Sequence, residues 1–204
     1  MKNNSEFSTL ALVRAAVFAA LTFVATFAVK IQTPTFGYIH MGDCFVLLSG
    51  LILGGTAGAL AAAIGSALSD LLAGYVIWVP GTFVIKFFVA LAAWHTFHSL
   101  SRLFVPGEVG TGPHLKHEKK FPAGLLIISG LAGELIMIAG YFFYNVIIIS
   151  LTAGELSAAA FAAAITESAA EIPFNILQGG AGLLLSTLLY PLVRRGVGTP
   201  TPGA

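Results

Sequence analysis

Four stretches of this chain, residues 9–29, 80–103, 121–150 and 167–192, stay apolar over long runs with no regular polar alternation. Few folds accommodate that pattern. A hydrocarbon core about 30 Å thick is crossed by a helix of about 20 apolar residues, whereas a barrel strand needs only about 10 and alternates. Charged residues make up 9% of the 204-residue chain and apolar residues 57%, against roughly 25% charged in a soluble domain. The expectation is a single all-α, polytopic membrane domain. The net charge of +1 says nothing about nucleic acid, but the chain has no basic, aromatic-rich patch of the kind nucleic-acid binders use, so no nucleic-acid partner is expected. Cys44 is the only cysteine, which excludes an intrachain disulfide and reads as a small apolar residue. Arg14 and the run 15–29 have the look of a signal peptide. No Ala-x-Ala site follows before Lys30, so this is read as an uncleaved first span.

The stretch 44–73 is too long for one span, at about 45 Å with 1.5 Å per residue. The Gly54–Gly55 doublet divides it into helices over 44–53 and 56–74. The chain then reads as six transmembrane helices, about 9–29, 44–53, 56–74, 80–103, 121–150 and 167–192, in a single domain over 1–193. With both termini cytoplasmic, Lys2, Arg14, Arg102, Lys116, Lys119, Lys120, Arg194 and Arg195 face inside, eight of the ten basic residues. Five spans would move most of them out, so the positive-inside rule selects six. The second helix is too short to cross alone, so the loop 30–42 is expected to dip into the membrane from outside. Residues 104–120, rich in Gly and Pro, form a cytoplasmic linker. His114 and His117 in it read as solvated, as does Glu155 in its own loop. Residues 196–204 read as a disordered tail.

Polar side chains inside such spans are costly and mark cavities, ligands or pathways. Glu167, Glu171, Asn175 and Gln178, at spacings of four, four and three, share one face of the last helix. Pro173 falls within the first two turns of that span as drawn here. Glu134, Tyr141 and Asn145 share a face of the fifth, and Thr82 and Lys86 a face of the fourth. Ser66 and Asp70 end the third, just before Tyr75 and Trp78. Simpler readings exist: Tyr75 and Trp78 as interfacial aromatics, Asp70 and Lys86 as a structural ion pair, His95 and His98 as interfacial histidines. Glu134, Lys86, Glu171 and Asn175 together resist them, because each would cost on the order of 3 kcal/mol alone. No metalloprotease, nucleophile-elbow or phosphate-loop motif is present, so no enzyme activity, cofactor or metal is expected. Small residues at Ala11, Ala15, Ala16, Ala19 and Ala20 form two interleaved rows on the first helix, a pattern that lets helices approach closely in lipid.

Several segments in order, Tyr38-Ile39-His40-Met41-Gly42-Asp43, Leu53-Gly54-Gly55, Gly65 to Tyr75, Pro80 to Lys86 and Glu171 to Gly179, resemble the substrate-binding S components of energy-coupling factor (ECF) vitamin transporters. The similarity spans roughly residues 8–193. It lies with the riboflavin-type grouping and, within that, with members assigned to pyridoxine-like or hydroxymethylpyrimidine-like substrates. The resemblance implies a six-helix protein of a prokaryotic plasma membrane that binds a vitamin near its outer face, capped by the loop between the first two helices. It also implies partners: a membrane T subunit and two cytoplasmic ATPases. Docking on the T subunit would use Ala15 and Ala19 or Ala16 and Ala20. Combining residues and resemblance, the ligand is expected at Tyr38, His40, Asp43, Asp70, Tyr75, Trp78, Lys86, Tyr141, Asn145, Glu167, Glu171 and Asn175. The aromatic rings suit a flat heterocycle and the carboxylates suit N–H or O–H donors. Two other classes compete: an intramembrane enzyme using Glu134, Glu167 and Glu171 as acids or bases, and an adaptor whose polar residues only lock helices together.

Overall fold

The computed structural model describes residues 9–33, 37–104, 122–154 and 157–197. Five long helices are α1 (Thr9–Ala28), α3 (Gly55–Leu72), α4 (Val79–Phe104), α5 (Ala123–Thr152) and α6 (Ala158–Val197). Each is long and apolar enough to cross a membrane. They pack in the order α1, α3, α4, α5, α6, each against the next. A shorter helix, α2 (Asp43–Leu53), sits inside this arc against α1, α3, α4 and α6. The reason is in its sequence. Val46, Leu47, Leu48 and Ser49 cover its full circumference and all are wholly buried, as expected of a helix apolar all round. The long helices instead turn Val13, Val84, Leu135 and Leu184 outward, the residues a hydrocarbon phase accepts.

Between α2 and α3 the chain breaks at Gly54, whose φ of 72° lies in the region that a side chain disfavours. Elsewhere glycine allows close helix contact. A Cβ on Gly50 would lie 2.3 Å from the Ala90 carbonyl oxygen, and one on Gly65 would lie 2.3 Å from that of Ala19. These small-residue contacts replace the hydrophobic drive that lipid removes.

Three expectations are corrected here. The connection after α1 is not irregular. Lys30–Gln32 (β1) and Tyr38–His40 (β2) pair antiparallel, with Lys30 opposite His40 and Gln32 opposite Tyr38. The period of two puts Tyr38 and His40 on one face of this hairpin. The last helix begins at Ala158, so Pro173 lies deep inside it rather than in its first turns. At 40 residues the helix is about 60 Å long. Its C-terminal end includes Gly196 and Val197, which the tail reading had left out. Residues 198–204, the linker residues 105–121 with His114 and His117, and Glu155 lie outside the described residues.

Candidate binding site

The hairpin lies across one end of the bundle, over the C-terminal end of α3, the first turns of α4, the C-terminal half of α5 and the middle of α6. Beneath it is a cleft of about 560 Å³, its open mouth included. Gly37, Tyr38 and His40 line it from the hairpin. Asp70 ends α3, Tyr75 and Trp78 belong to the turn that follows, and Thr82 is on α4. Tyr141 and Asn145 come from α5, and Glu171, Asn175 and Gln178 from α6.

Two hydrogen-bonded layers build it. In the upper layer Asp70 is the terminal acceptor. Tyr38 donates its hydroxyl to Oδ1, Thr82 donates to Oδ2, and Tyr141 donates to Thr82 Oγ1 at 3.1 Å. Burial, then the Asp70 charge and hydrogen bond, push the Tyr38 phenol well above its ordinary pKa, so Tyr38 stays a donor. The Tyr38 and Tyr75 rings lie 4.9 Å apart, and those of Trp78 and Tyr144 lie 5.6 Å apart, within the range of favourable aromatic contact. Glu171 ties α6 to the hairpin. It accepts from Thr33 Oγ1 at 2.9 Å and from the backbone of Gly37.

The lower layer holds the ion pair of Lys86 and Asp43, both fully buried. Asp43 starts α2, where the helix dipole favours an anion. Gln178 donates Nε2 to Asp43 Oδ2 at 2.6 Å and accepts the His40 N–H on Oε1 at 3.1 Å. His40 Nδ1 accepts the Gly42 N–H at 3.0 Å, which leaves the ring hydrogen on Nε2. Desolvation pushes the His40 imidazole down to about 4, so it is neutral at neutral pH. The buried polar atoms without a hydrogen-bond partner among the described residues include Asn145 Oδ1, on a residue that lines the cleft, and both oxygens of Glu134, which lies against α6 at Gly179.

Of the residues expected at the ligand, Tyr38, His40, Asp70, Tyr75, Trp78, Tyr141, Asn145, Glu171 and Asn175 line the cleft. Three do not. Lys86 and Asp43 pair below it, and Glu167 sits one turn of α6 from Glu171 toward the helix start. The Asp70–Lys86 pair considered from sequence is replaced by Lys86–Asp43, because Tyr38 and Thr82 occupy Asp70. Gly37, Thr82 and Gln178 line the cleft without having been assigned to it. Thr82 and Gln178 carried a signal, since each shares a helix face with an expected residue. Gly37 carried none. The alanine rows also divide. Ala15 and Ala19 pack inward against the core, whereas Ala16 and Ala20 are exposed. His95 and His98 both lie against the Trp94 ring, away from the cleft.

A bundle of lipid-compatible helices with an aromatic, polar-lined cleft at one end has the form of a membrane-embedded small-molecule binding protein. Comparison with known families narrows this: residues 6–195 match the family described as ECF-type riboflavin transporter, S component, and the chain belongs to that family. A segment of 64 residues is also 39% identical to a Pyrococcus woesei protein described as "Uncharacterized protein in gap 3'region". The segment is 31% of this chain and 43% of that protein, so the match spans less than half of that relative.

Proposed function

We propose that this chain is the high-affinity substrate-binding subunit of an ECF-type ABC importer, taking a small water-soluble vitamin or precursor. The observation that carries the reading is the cleft itself: aromatic rings packed at a tilt and converging polar groups under a hairpin, in a chain of this family. A pyridine- or pyrimidine-type heterocycle is favoured over riboflavin, on the motif resemblance and on walls formed by Tyr38, Tyr75, Trp78 and Tyr141. The groups that touch ligand are those lining the cleft. Asp43 and Lys86 support it from below, and Glu167 stands at its approach.

In this reading the chain is a multi-pass protein of a prokaryotic plasma membrane, with α2 and the hairpin together completing a sixth crossing. Arg14, Arg102, Arg194 and Arg195 gather at the end away from the cleft, and Arg14 donates to the Val197 carbonyl there. By the positive-inside rule that end, with both termini, is cytoplasmic. Energy comes from partners, a membrane T subunit and two cytoplasmic ATPases. Docking uses the outward row Ala16 and Ala20, because the Ala15–Ala19 row already packs against α3. The test is titration calorimetry of detergent-purified protein with pyridoxine, 4-amino-5-hydroxymethyl-2-methylpyrimidine and riboflavin. Dissociation constants below about 1 μM, equivalent to about −8 kcal/mol, are expected for one of the first two. Tighter binding of riboflavin overturns the preferred cargo. Binding of none, with no uptake defect on deletion in cells, overturns the importer reading.

A further inference from the structure

The charges in this fold are sorted by position. Among the described residues the carboxyl side chains Asp43, Asp70, Glu167 and Glu171 belong to the half of the bundle that holds the cleft, and Glu134 lies deeper, near the middle of α5. The cations on that side are Lys86 and Lys30. Lys86 is spent on Asp43, to which it is salt-bridged in full burial. Lys30 lies 4.0 Å over the Phe27 ring and 5.4 Å from the Tyr38 ring. It acts on Asp70 through space but does not line the cleft. No lysine or arginine lines the cleft among the described residues, and His40, held near 4 by burial, adds no positive charge.

The hydrogen bonds point the same way. Tyr38 donates directly to Asp70, and Tyr141 donates through Thr82 to the same carboxyl. Donors converging on both oxygens are what an ionised carboxylate accepts, and each oxygen keeps a second lone pair. Asn145, 8% exposed, lines the cleft, and its buried amide oxygen has no partner. It is an acceptor awaiting a donor. The hydroxyls of Tyr38, Thr82 and Tyr141 are already committed inward. The donors left facing the cleft, the His40 Nε2–H, the Tyr75 hydroxyl, the Trp78 indole N–H and the Asn145 and Asn175 amides, are all neutral, so the ionisable groups of opposite sign to a cation on its wall are the carboxyls of Asp70 and Glu171.

Resting on the importer reading above, we propose that the cleft selects by charge. It takes an unphosphorylated ring bearing a protonated amine or an N–H-rich edge, and it rejects phosphorylated and carboxylated forms of the same ring. The ligand's positive edge faces Asp70, Glu171 and the Asn145 amide oxygen. One ring acceptor faces His40.

The test is a matched series on one ring: pyridoxamine, pyridoxine, 4-pyridoxic acid and pyridoxine 5′-phosphate, with riboflavin and flavin mononucleotide as a second ring. Each is titrated into wild type, Asp70→Asn and Glu171→Gln, with a melting curve to confirm that each variant is folded. Like charges about 5 Å apart at an effective dielectric of about 20 correspond to a penalty on the order of 100-fold in affinity. The phosphate should cost that much on whichever ring binds, and amine should bind at least as tightly as alcohol. Either neutralising variant should shrink the phosphate penalty several-fold. A phosphorylated form that binds as tightly as its parent overturns the charge rule while leaving the importer reading intact. So does an undiminished penalty in both folded variants. If no compound in the series binds, the molecule that co-purifies decides. An anion overturns the rule, and a cation or N–H-rich neutral ring supports it. A folded protein that carries nothing overturns the rule and the importer reading together.

Discussion

Lys86 was expected at the ligand and instead lies outside the cleft lining, which gives a sharp test. It is fully buried and salt-bridged to Asp43, which is itself fully buried and accepts from Gln178 Nε2 at 2.6 Å. Replacing Lys86 with Met leaves the Asp43 carboxylate without its cation in a low-dielectric interior. Breaking one partner of a buried pair costs about 3–5 kcal/mol. For a chain of this length that corresponds to a fall in melting temperature on the order of 10 °C. The double variant Asp43→Asn/Lys86→Met removes both charges and keeps an amide beside Gln178. It should recover most of the loss, because a buried ion pair replaced as a unit is often close to neutral. The assay is thermal unfolding in detergent followed by size-exclusion chromatography, with ligand titration at a temperature where every variant is folded. Lys86→Met should melt low, the double variant close to wild type, and the folded double variant should bind ligand within about tenfold of wild type, or about 1.4 kcal/mol. A Lys86→Met protein that melts like wild type but has lost binding would refute the reasoning and return Lys86 to the ligand.

His40 supplies a pH dependence. Its imidazole is held near 4 in the fold by burial, below its ordinary value of about 6.5. The unfolded chain therefore takes up the proton first. Stability contributed by neutral His40 is fully present above about pH 6.5 and is lost as pH falls toward 4, a change on the order of 3 kcal/mol. Melting curves of His40→Asn, which keeps an acceptor for the Gly42 N–H, should be flatter across that window. Tyr75→Ala should weaken ligand binding by about 2–12-fold through lost stacking, worth about 0.5–1.5 kcal/mol, as read by calorimetry. Equal affinity would remove Tyr75 from the site. Gly65→Val should destabilise the protein by about 1–3 kcal/mol or more through overpacking against Ala19. Ala16→Trp should melt normally and bind ligand yet fail to co-purify with a T subunit. A stable Gly65→Val, or an assembled and transporting Ala16→Trp, would count against the internal and external assignments respectively.

Much of this was legible in the chain because lipid penalises polar groups so heavily. A glutamate stripe such as Glu167, Glu171, Asn175 and Gln178 stands out in an apolar run, and its spacing fixes its face. Faces from four helices then had to converge, and on the cleft they do. What the sequence withheld was pairing. Asp70 and Lys86 each sit on adjacent helices at compatible depth, and nothing local says that Lys86 prefers Asp43, which arrives from α2 across the bundle. That choice depends on Tyr38 and Thr82 reaching Asp70 first, and it is settled only by the path of the hairpin. The hairpin itself was hidden because three-residue strands leave too short a period to read. The start of α6 at Ala158 was missed for another reason. Its first turns are alanine-rich, compatible with helix but not obligatorily within a membrane. The two alanine rows of α1 were visible, but which row faces the protein depended on Gly65 of α3.

The central claim is that the cleft under the hairpin holds a small molecule. Native mass spectrometry of the protein purified in mild detergent from cells grown in rich medium tests it most directly, alongside Asn145→Leu and Asn175→Leu. The account predicts one bound small heterocycle per chain in wild type, and loss of that mass in both variants while their melting temperatures stay within a few degrees. A folded wild-type protein that carries no adduct and acquires none from a vitamin mixture would contradict it, as would an adduct that persists unchanged in both leucine variants.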